Sequence, residues 1–420
     1  MNDDRPSRPF SPQLLVFALV AATAGAQQPV PPPAPANQGA PDAPAAPGGL
    51  APHTLLSTLP EAATTGAPDW IVPGMRLSYF TSVSSSPRLK PDGTMTQATA
   101  GAGWDLCDVI AVEPGVVVLT MRAFQNANGN QGPSMPNGSR AMLIHPSGCD
   151  FFLHPHLLAQ LQDSAKDGIS LRKGTTTHRG TQYKTITSTV EIPGTRLISV
   201  YDLTSGVQLS HNSGTYTQAP TFDPNKQNIL ANNQFHGARR LALPWIEGEI
   251  PEWARKMRRM TFRGTRIDSG TPEMGLGRLV TNLSFEYTPR QAGATFILFD
   301  LKLTQQMQGL PPMEPTTIPI ACGAGSKDSL WIDPRVLAKL RTGQVIDRDG
   351  QIGVDLGVEH AGKARDGRAV VVIGERSPGF QTSATFLASD GRLLAMQMVQ
   401  RSGSTGGTVT TSLELVGIDG

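Results

Sequence analysis

Four side chains able to bind a transition metal crowd into one segment. His145, Cys149, His154 and His156 lie within twelve residues, and imidazole and thiolate are the usual ligands of zinc and copper. Their spacing fits no standard zinc site. A later copy of the segment carries Asp333 and Arg335 where His154 and His156 stand. His154 therefore reads as the N-cap of a short helix, and no metal is assigned. Asp347-Arg348-Asp349-Gly350 resembles the middle of a calcium loop. With Gly350 as the turn glycine, the first and twelfth loop positions fall on Val345 and Leu356, whose side chains offer no oxygen. The segment reads as an acidic hairpin turn.

A different chemistry is offered further along. Arg255, Lys256, Arg258, Arg259, Arg263 and Arg266 place six cations in twelve residues, with Arg239 and Arg240 just upstream. Such a cluster can hold phosphate, an anionic glycan or a lipid head group. The first five are the candidate ligand-binding residues. The competing reading is a solvated strand edge, where charge discourages pairing with another edge. The chain has three cysteines, so at least one thiol is free or pairs between chains. Cys107 and Cys149 are the candidate disulfide, and Cys322 is the expected buried free thiol. No G-x-S-x-G, H-E-x-x-H, Walker loop, G-x-G-x-x-G or Cys-x-x-Cys is present, and the eight histidines are scattered. No catalytic residue and no cofactor is assigned.

The elements that must position these groups are constrained by composition. The chain has 420 residues, of which 44 are Gly and 35 Pro, and these are the two poorest helix formers. Charged residues are 17% and the formal net charge is +2. A nucleic-acid binder would carry a large basic excess, so that class is set aside. Residues 1–26 read as a secretory signal: Arg5 and Arg8, then the apolar run Leu14 to Ala22, then Ala24-Gly25-Ala26 as a small-residue cleavage site. The run is too short to span a bilayer, and no later segment is apolar enough to do so. Residues 27–67 read as a disordered Pro/Ala-rich linker, with nine prolines between positions 27 and 52. The expected location is exported, periplasmic or extracellular.

The most informative feature is an internal repeat. Pro68-Asp69-Trp70 recurs as Pro251-Glu252-Trp253, and Arg76-Leu77-Ser78-Tyr79 as Arg259-Met260-Thr261-Phe262. His154-Pro155 to Leu161 matches Asp333-Pro334 to Leu340, and Gly206 matches Gly391. Two halves follow, 68–216 and 251–420, joined by a Pro/Asn-rich connector at 217–250. Trp70 and Trp253 could stack on sugars, but their matched places favour core packing. Within each half, segments such as Thr185 to Ile192 and Val409 to Val416 alternate apolar and polar residues, the pattern of antiparallel strands wet on one face. Asp333 followed by Pro334 predicts a short helix start there, and its copy predicts one at Pro155. The expected fold is mainly β: two similar curved antiparallel-sheet domains, half-barrel or sandwich, each with a short helix.

The late hairpin Tyr201-Asp202-x-x-Ser205-Gly206-x-x-Leu209, with its partner Asp390-Gly391-Arg392-Leu393-Leu394, resembles a turn of the LolA/LppX periplasmic half-barrel proteins. The resemblance implies an open barrel whose concave face holds an acyl chain or another apolar ligand. It carries over no functional residue. The expected function is an exported, non-catalytic binding protein, with a lipid or amphiphilic ligand in a concave sheet. Two alternatives stand beside it. One is a structural or cell-envelope adhesion module. The other is a hydrolase whose site is assembled only in space.

Overall fold

The alternating segments become long antiparallel strands. In the computed structural model the described residues are 50–85, 99–126, 134–166, 168–215, 229–269, 278–401 and 407–420. The first half contains β1 (Met75–Ser85), β2 (Thr99–Glu113), β3 (Val116–Asn126), β4 (Ser134–Ile144), the short pair β5 (Gly148–Cys149) and β6 (Phe152–Leu153), and helix α1 (Pro155–Gln160). It continues with β7 (Ser164–Lys166), β8 (Ile169–His178), β9 (Thr181–Ile192), β10 (Thr195–Asp202), β11 (Gln208–Thr215) and β12 (Ile229–Arg240). The second half opens with helix α2 (Glu252–Lys256), followed by β13 (Arg259–Ser269), β14 (Arg278–Ala292), β15 (Phe296–Met307), β16 (Thr316–Gly323) and helix α3 (Pro334–Leu337). It ends with β17 (Val345–Asp349), β18 (Val354–Lys363), β19 (Ala369–Arg376), β20 (Phe380–Leu387), β21 (Leu393–Arg401) and β22 (Thr408–Asp419).

Each half is one ten-stranded sheet, and the two have the same strand order. The first runs β4-β3-β2-β1-β12-β11-β10-β9-β8-β7 and the second β16-β15-β14-β13-β22-β21-β20-β19-β18-β17. A four-strand meander and a six-strand meander are thus joined by pairing the first strand of the half with its last. The fold is mainly β, with two similar curved antiparallel-sheet domains, each carrying a short helix.

The correspondence extends to single residues. The register shifts at Ser78/Tyr79, Val109/Ala111 and Val200/Tyr201 reappear at Thr261/Phe262, Pro289/Gln291 and Thr385/Phe386. Trp70 donates its indole N–H to the Ser205 carbonyl at 2.8 Å, and Trp253 donates to the Asp390 carbonyl at 2.9 Å. The expectation that the two tryptophans occupy equivalent packing sites agrees with this geometry. Asp333 caps α3 by accepting from the Arg335 backbone N–H, whereas His154 makes no side-chain cap bond to α1. The covering segment 145–161 and α1 lie on one face of the first sheet, called the inner face below. Leu157 and Leu158 pack there with Ile186 and Tyr201. Burying each such side chain contributes about 1.5–3 kcal/mol.

Two boundaries differ from the sequence reading. The structured region already includes residues before 68: Thr54–Leu56 and Pro60–Ala63 form 3-10 turns, and Leu56 and Ala62 are fully buried against Leu153, Leu157 and Tyr201. The leucines at 55, 56 and 59 supply apolar surface that the Pro/Ala composition of the rest of the linker lacks. The 217–250 connector contains β12, which pairs with β1 and β11 in the middle of the first sheet. Its asparagines gave it the look of a loop, yet Asn232 and Asn233 occupy strand positions. The proposed signal, 1–26, and the remainder of the linker to residue 49 lie outside the described residues. Among the described residues no helix is long and apolar enough to cross a membrane, which says nothing about membrane strands.

Candidate ligand-binding face

Residues directly opposite each other on paired strands share a face of the sheet, so the register can be read as rows. One row crosses six strands of the first sheet on the inner face: Thr81, Asn233, His211, Ser199 and Ser188, ending on Leu171. The equivalent row of the second sheet is Gly264, Leu413, Met396, Ala384 and Ile373, ending on Val358. Every hydrogen-bonding side chain of the first row is replaced by an apolar one or by glycine. Asp105, opposite Tyr79, is likewise matched by Phe285, opposite Phe262. The backbones agree and the chemistry of the inner faces does not.

The polar row is connected within itself and to the cover. Ser199 Oγ lies 2.9 Å from His211 Nδ1. Thr81 donates its hydroxyl to Asp105 Oδ2 at 2.7 Å. Tyr79 donates to the Phe151 carbonyl at 3.0 Å and Tyr201 to that of Asp150 at 3.3 Å, which fixes the cover just beside the row. His53 Nε2 lies 3.0 Å from Asp150 Oδ1. Burial pushes the Asp105 carboxyl up, opposed by the Thr81 hydrogen bond. Burial pushes the His211 imidazole down, opposed by the charge of Asp150. The hydrogen bond from His53 holds Asp150 below its usual value. Thr81, Asp105, Asn233, His211 and Ser199 are half-buried, so the row is within reach of a ligand.

The next row toward the end of the strands inverts the pattern. In the first sheet it is aliphatic but for one serine: Val83, Ala231, Ser213, Leu197, Val190 and Ile169. In the second it is Arg266, Thr411, Met398, Thr382, Glu375 and Leu356, with Asp347 beyond. Two charged groups of that second row, Glu375 and Asp347, are met by side chains of the first half, whereas Arg266 is exposed. Arg76, Asp108 and Arg122 lie on the outer face of the first sheet and reach Asp349 and Glu375. Arg76 Nη1 donates to Asp349 Oδ2 at 3.1 Å, and Arg76 Nε to Asp108 Oδ1 at 2.7 Å. Arg122 is 3.4 Å from both Asp108 and Glu375. Lys327 closes on Glu375, and Arg239 makes a two-pronged contact with Asp347 at 2.8 and 2.7 Å. Around the ions pack Leu106, Phe124, Ile352, Val354 and Phe380. The outer face of the first sheet therefore meets the β17–β19 end of the second sheet's inner face.

The sequence-predicted residues fall elsewhere. Arg255 donates to the Gly293 and Ala294 carbonyls, Lys256 pairs with Glu252, and Arg259 pairs with Asp419. Arg259 and Arg263 sit on β13 on the face opposite Met260 and Phe262, and Arg258 precedes that strand. The five cations are spread over a helix and a strand instead of meeting at a point. Nor is β13 an edge strand, since it pairs with β14 and β22. Cys107 and Cys149 belong to one buried cluster, but all three cysteines are free thiols. Burial raises Cys149 to about 12. His145 is taken up by Ser147 Oγ at 2.7 Å and the Ala63 carbonyl at 3.3 Å. Among the described residues no group of three or more His, Cys, Asp or Glu is placed to hold a metal. On the outer face of β8 and β9 a groove of about 680 Å³ is lined by Arg172, Thr187, Thr189, Glu191 and Arg196, with Arg196 and Glu191 paired at 3.2 Å.

No protein-family model and no curated protein matches the chain. Among solved structures it is similar to a BenF-like porin from Pseudomonas fluorescens Pf-5, at 11% identity over 82% of this chain and 100% of that one, with a TM-score of 0.11. It is also similar to OccK2 (OpdF) of Pseudomonas aeruginosa, at 9% identity over 84% and 98%, with a TM-score of 0.13. At those scores the backbones do not share a superposition.

Proposed function

We propose that the protein is an exported, non-catalytic binding protein that holds an amphiphilic ligand on the inner face of its first sheet. The observation that carries this reading is the row-by-row contrast between the halves. A second sheet of the same register needs only apolar side chains at those positions to pack. The polar row of the first sheet is thus not demanded by the fold. It sets hydrogen-bonding groups beside an aliphatic row, an arrangement that complements a molecule with a polar end and a hydrocarbon chain. The resemblance to LolA/LppX proteins points the same way. The second sheet offers no such pairing, because its matched row is apolar and the row beside it carries Glu375, which Arg122 of the first half engages.

The test is titration of delipidated protein with a monoacylglycerol carrying a fluorophore on its chain. Saturable uptake is expected. Giving the first sheet the residues of the second, as Asn233→Leu, His211→Met and Ser199→Ala together, removes about three hydrogen bonds of roughly 1 kcal/mol each and weakens uptake by tenfold or more. Absence of uptake by the native protein would overturn the reading.

A further inference from the structure

Resting on the ligand site proposed above, we infer that the polar end of its ligand is uncharged: a hydroxyl, ester or amide group in place of a carboxylate, phosphate or amine. The row offers neutral hydrogen-bonding groups, namely Asn233, the Ser199–His211 pair and the Thr81 hydroxyl. Among the described residues of the row and the aliphatic row beside it, the only cation is Lys166, at the far margin on the last strand. Lys173 on the next strand in is committed to the Ala159 carbonyl at 2.9 Å. Arg140, opposite Met121, lies at the other margin on β4. The charges close to the row are instead two carboxylates. Asp105 stands one step deeper, and Asp150 is carried in by the cover.

An anionic head would therefore be desolvated next to two negative groups with no guanidinium or ammonium at hand, which is costly. A cationic head gains less than the count of carboxylates indicates. Asp105 is already engaged by Thr81, and Asp150 is turned toward His53. A neutral head meets donors and acceptors in kind.

Three probes with one chain and one fluorophore test this at pH 8: a dodecanoic acid, its primary amide and the corresponding primary amine. The amide is expected to bind at least tenfold more tightly than either charged probe. Asp105→Asn, which removes one carboxylate without changing its shape, should narrow the gap between acid and amide several-fold. Equal or tighter binding of the acid or the amine overturns the inference and leaves the binding site standing. Failure of all three to bind overturns the site itself, and this inference with it.

Discussion

Replacing Arg76 by methionine lowers the unfolding free energy by about 3–5 kcal/mol, the usual cost of removing one partner from a buried ion pair. Arg259→Met leaves the denaturation curve in place. The two arginines hold the same position in the two halves, but their surroundings differ. Arg76 is 2% exposed and joins Asp108 to Asp349 across the contact between the sheets. Arg259 lies at the surface, where its partner Asp419 is half-exposed to solvent. Without Arg76, Asp349 keeps Arg239 and Asp108 keeps only Arg122 at 3.4 Å. Urea denaturation of both variants checks the result, and equal effects would show that the network between the sheets contributes nothing.

The same network fixes a pH dependence. Burial alone would raise the Asp108 carboxyl, but Arg76 and Arg122 overcome that and hold it at about 2, below its ordinary 3.8. Glu375 is also held low: burial opposes it, and Lys327 and Arg122 prevail. A carboxylate depressed in the folded state stabilises the fold above its unfolded pKa, and that stability is lost as pH falls through the folded value. For Asp108 the contribution at neutral pH is roughly 2 kcal/mol. Unfolding free energy measured against pH should be level above about pH 5 and fall steadily toward pH 2. Arg76→Met should flatten that fall.

The second large effect is expected at the paired hairpin glycines. Gly206 and Gly391 have φ of +79° and +77°, a region that side chains other than glycine rarely adopt. A Cβ at Gly206 would lie 1.8 Å from the Leu153 carbonyl oxygen, and one at Gly391 would lie 1.9 Å from that of Ile332. Both carbonyls belong to the segment leading into the helix. That segment is tied back by the Leu153 N–H to the Gly206 carbonyl and by the Ile332 N–H to the Gly391 carbonyl, each at 2.9 Å. Strain and collision together make either substitution by alanine cost on the order of 3–5 kcal/mol. Gly115→Ala is the control. Its φ is +80° but no atom lies within 4 Å of the added Cβ, so it should cost only about 1–2 kcal/mol. A thermal melt that ranks Gly115 with the other two would refute the close approach.

The strands and the short helices were legible in the sequence because their signals are local: period-two alternation, and Pro334 beside Asp333. The polar row was not, because its members come from strands far apart in the chain. Thr81, Asn233, His211 and Ser199 are each ordinary strand residues. The signal that exposes them is positional. The offset between Gly206 and Gly391 aligns Ser199 with Ala384 and His211 with Met396, and only the paired register shows that these differences line up on one face. The charge network was equally hidden, since Arg76 and Asp349 are 273 positions apart. The hairpin turn falls at 350–353, while Asp347 and Asp349, read as part of it, end β17, and no local pattern reveals that they face arginines of the other half. The Arg255 to Arg266 cluster misled in the opposite sense. Density along the chain is not convergence in space, and strand alternation directs such side chains away from one another.

The strand that bridges the two meanders of the first sheet lies outside the segment the repeat delimits, and this bears on modularity. A fragment ending at residue 216 would keep β1 and β11 but lose β12, the strand lying between them. Cutting after residue 240 restores that strand and leaves Leu241, Leu243 and Trp245 with the half whose core they fill, but it parts Arg76, Arg122 and Arg239 from the buried Asp349, Glu375 and Asp347 of the other piece. Neither cut yields two self-sufficient pieces. The copies have become mutually dependent, and recombination could not trade one of them into a different protein as a free-standing cassette.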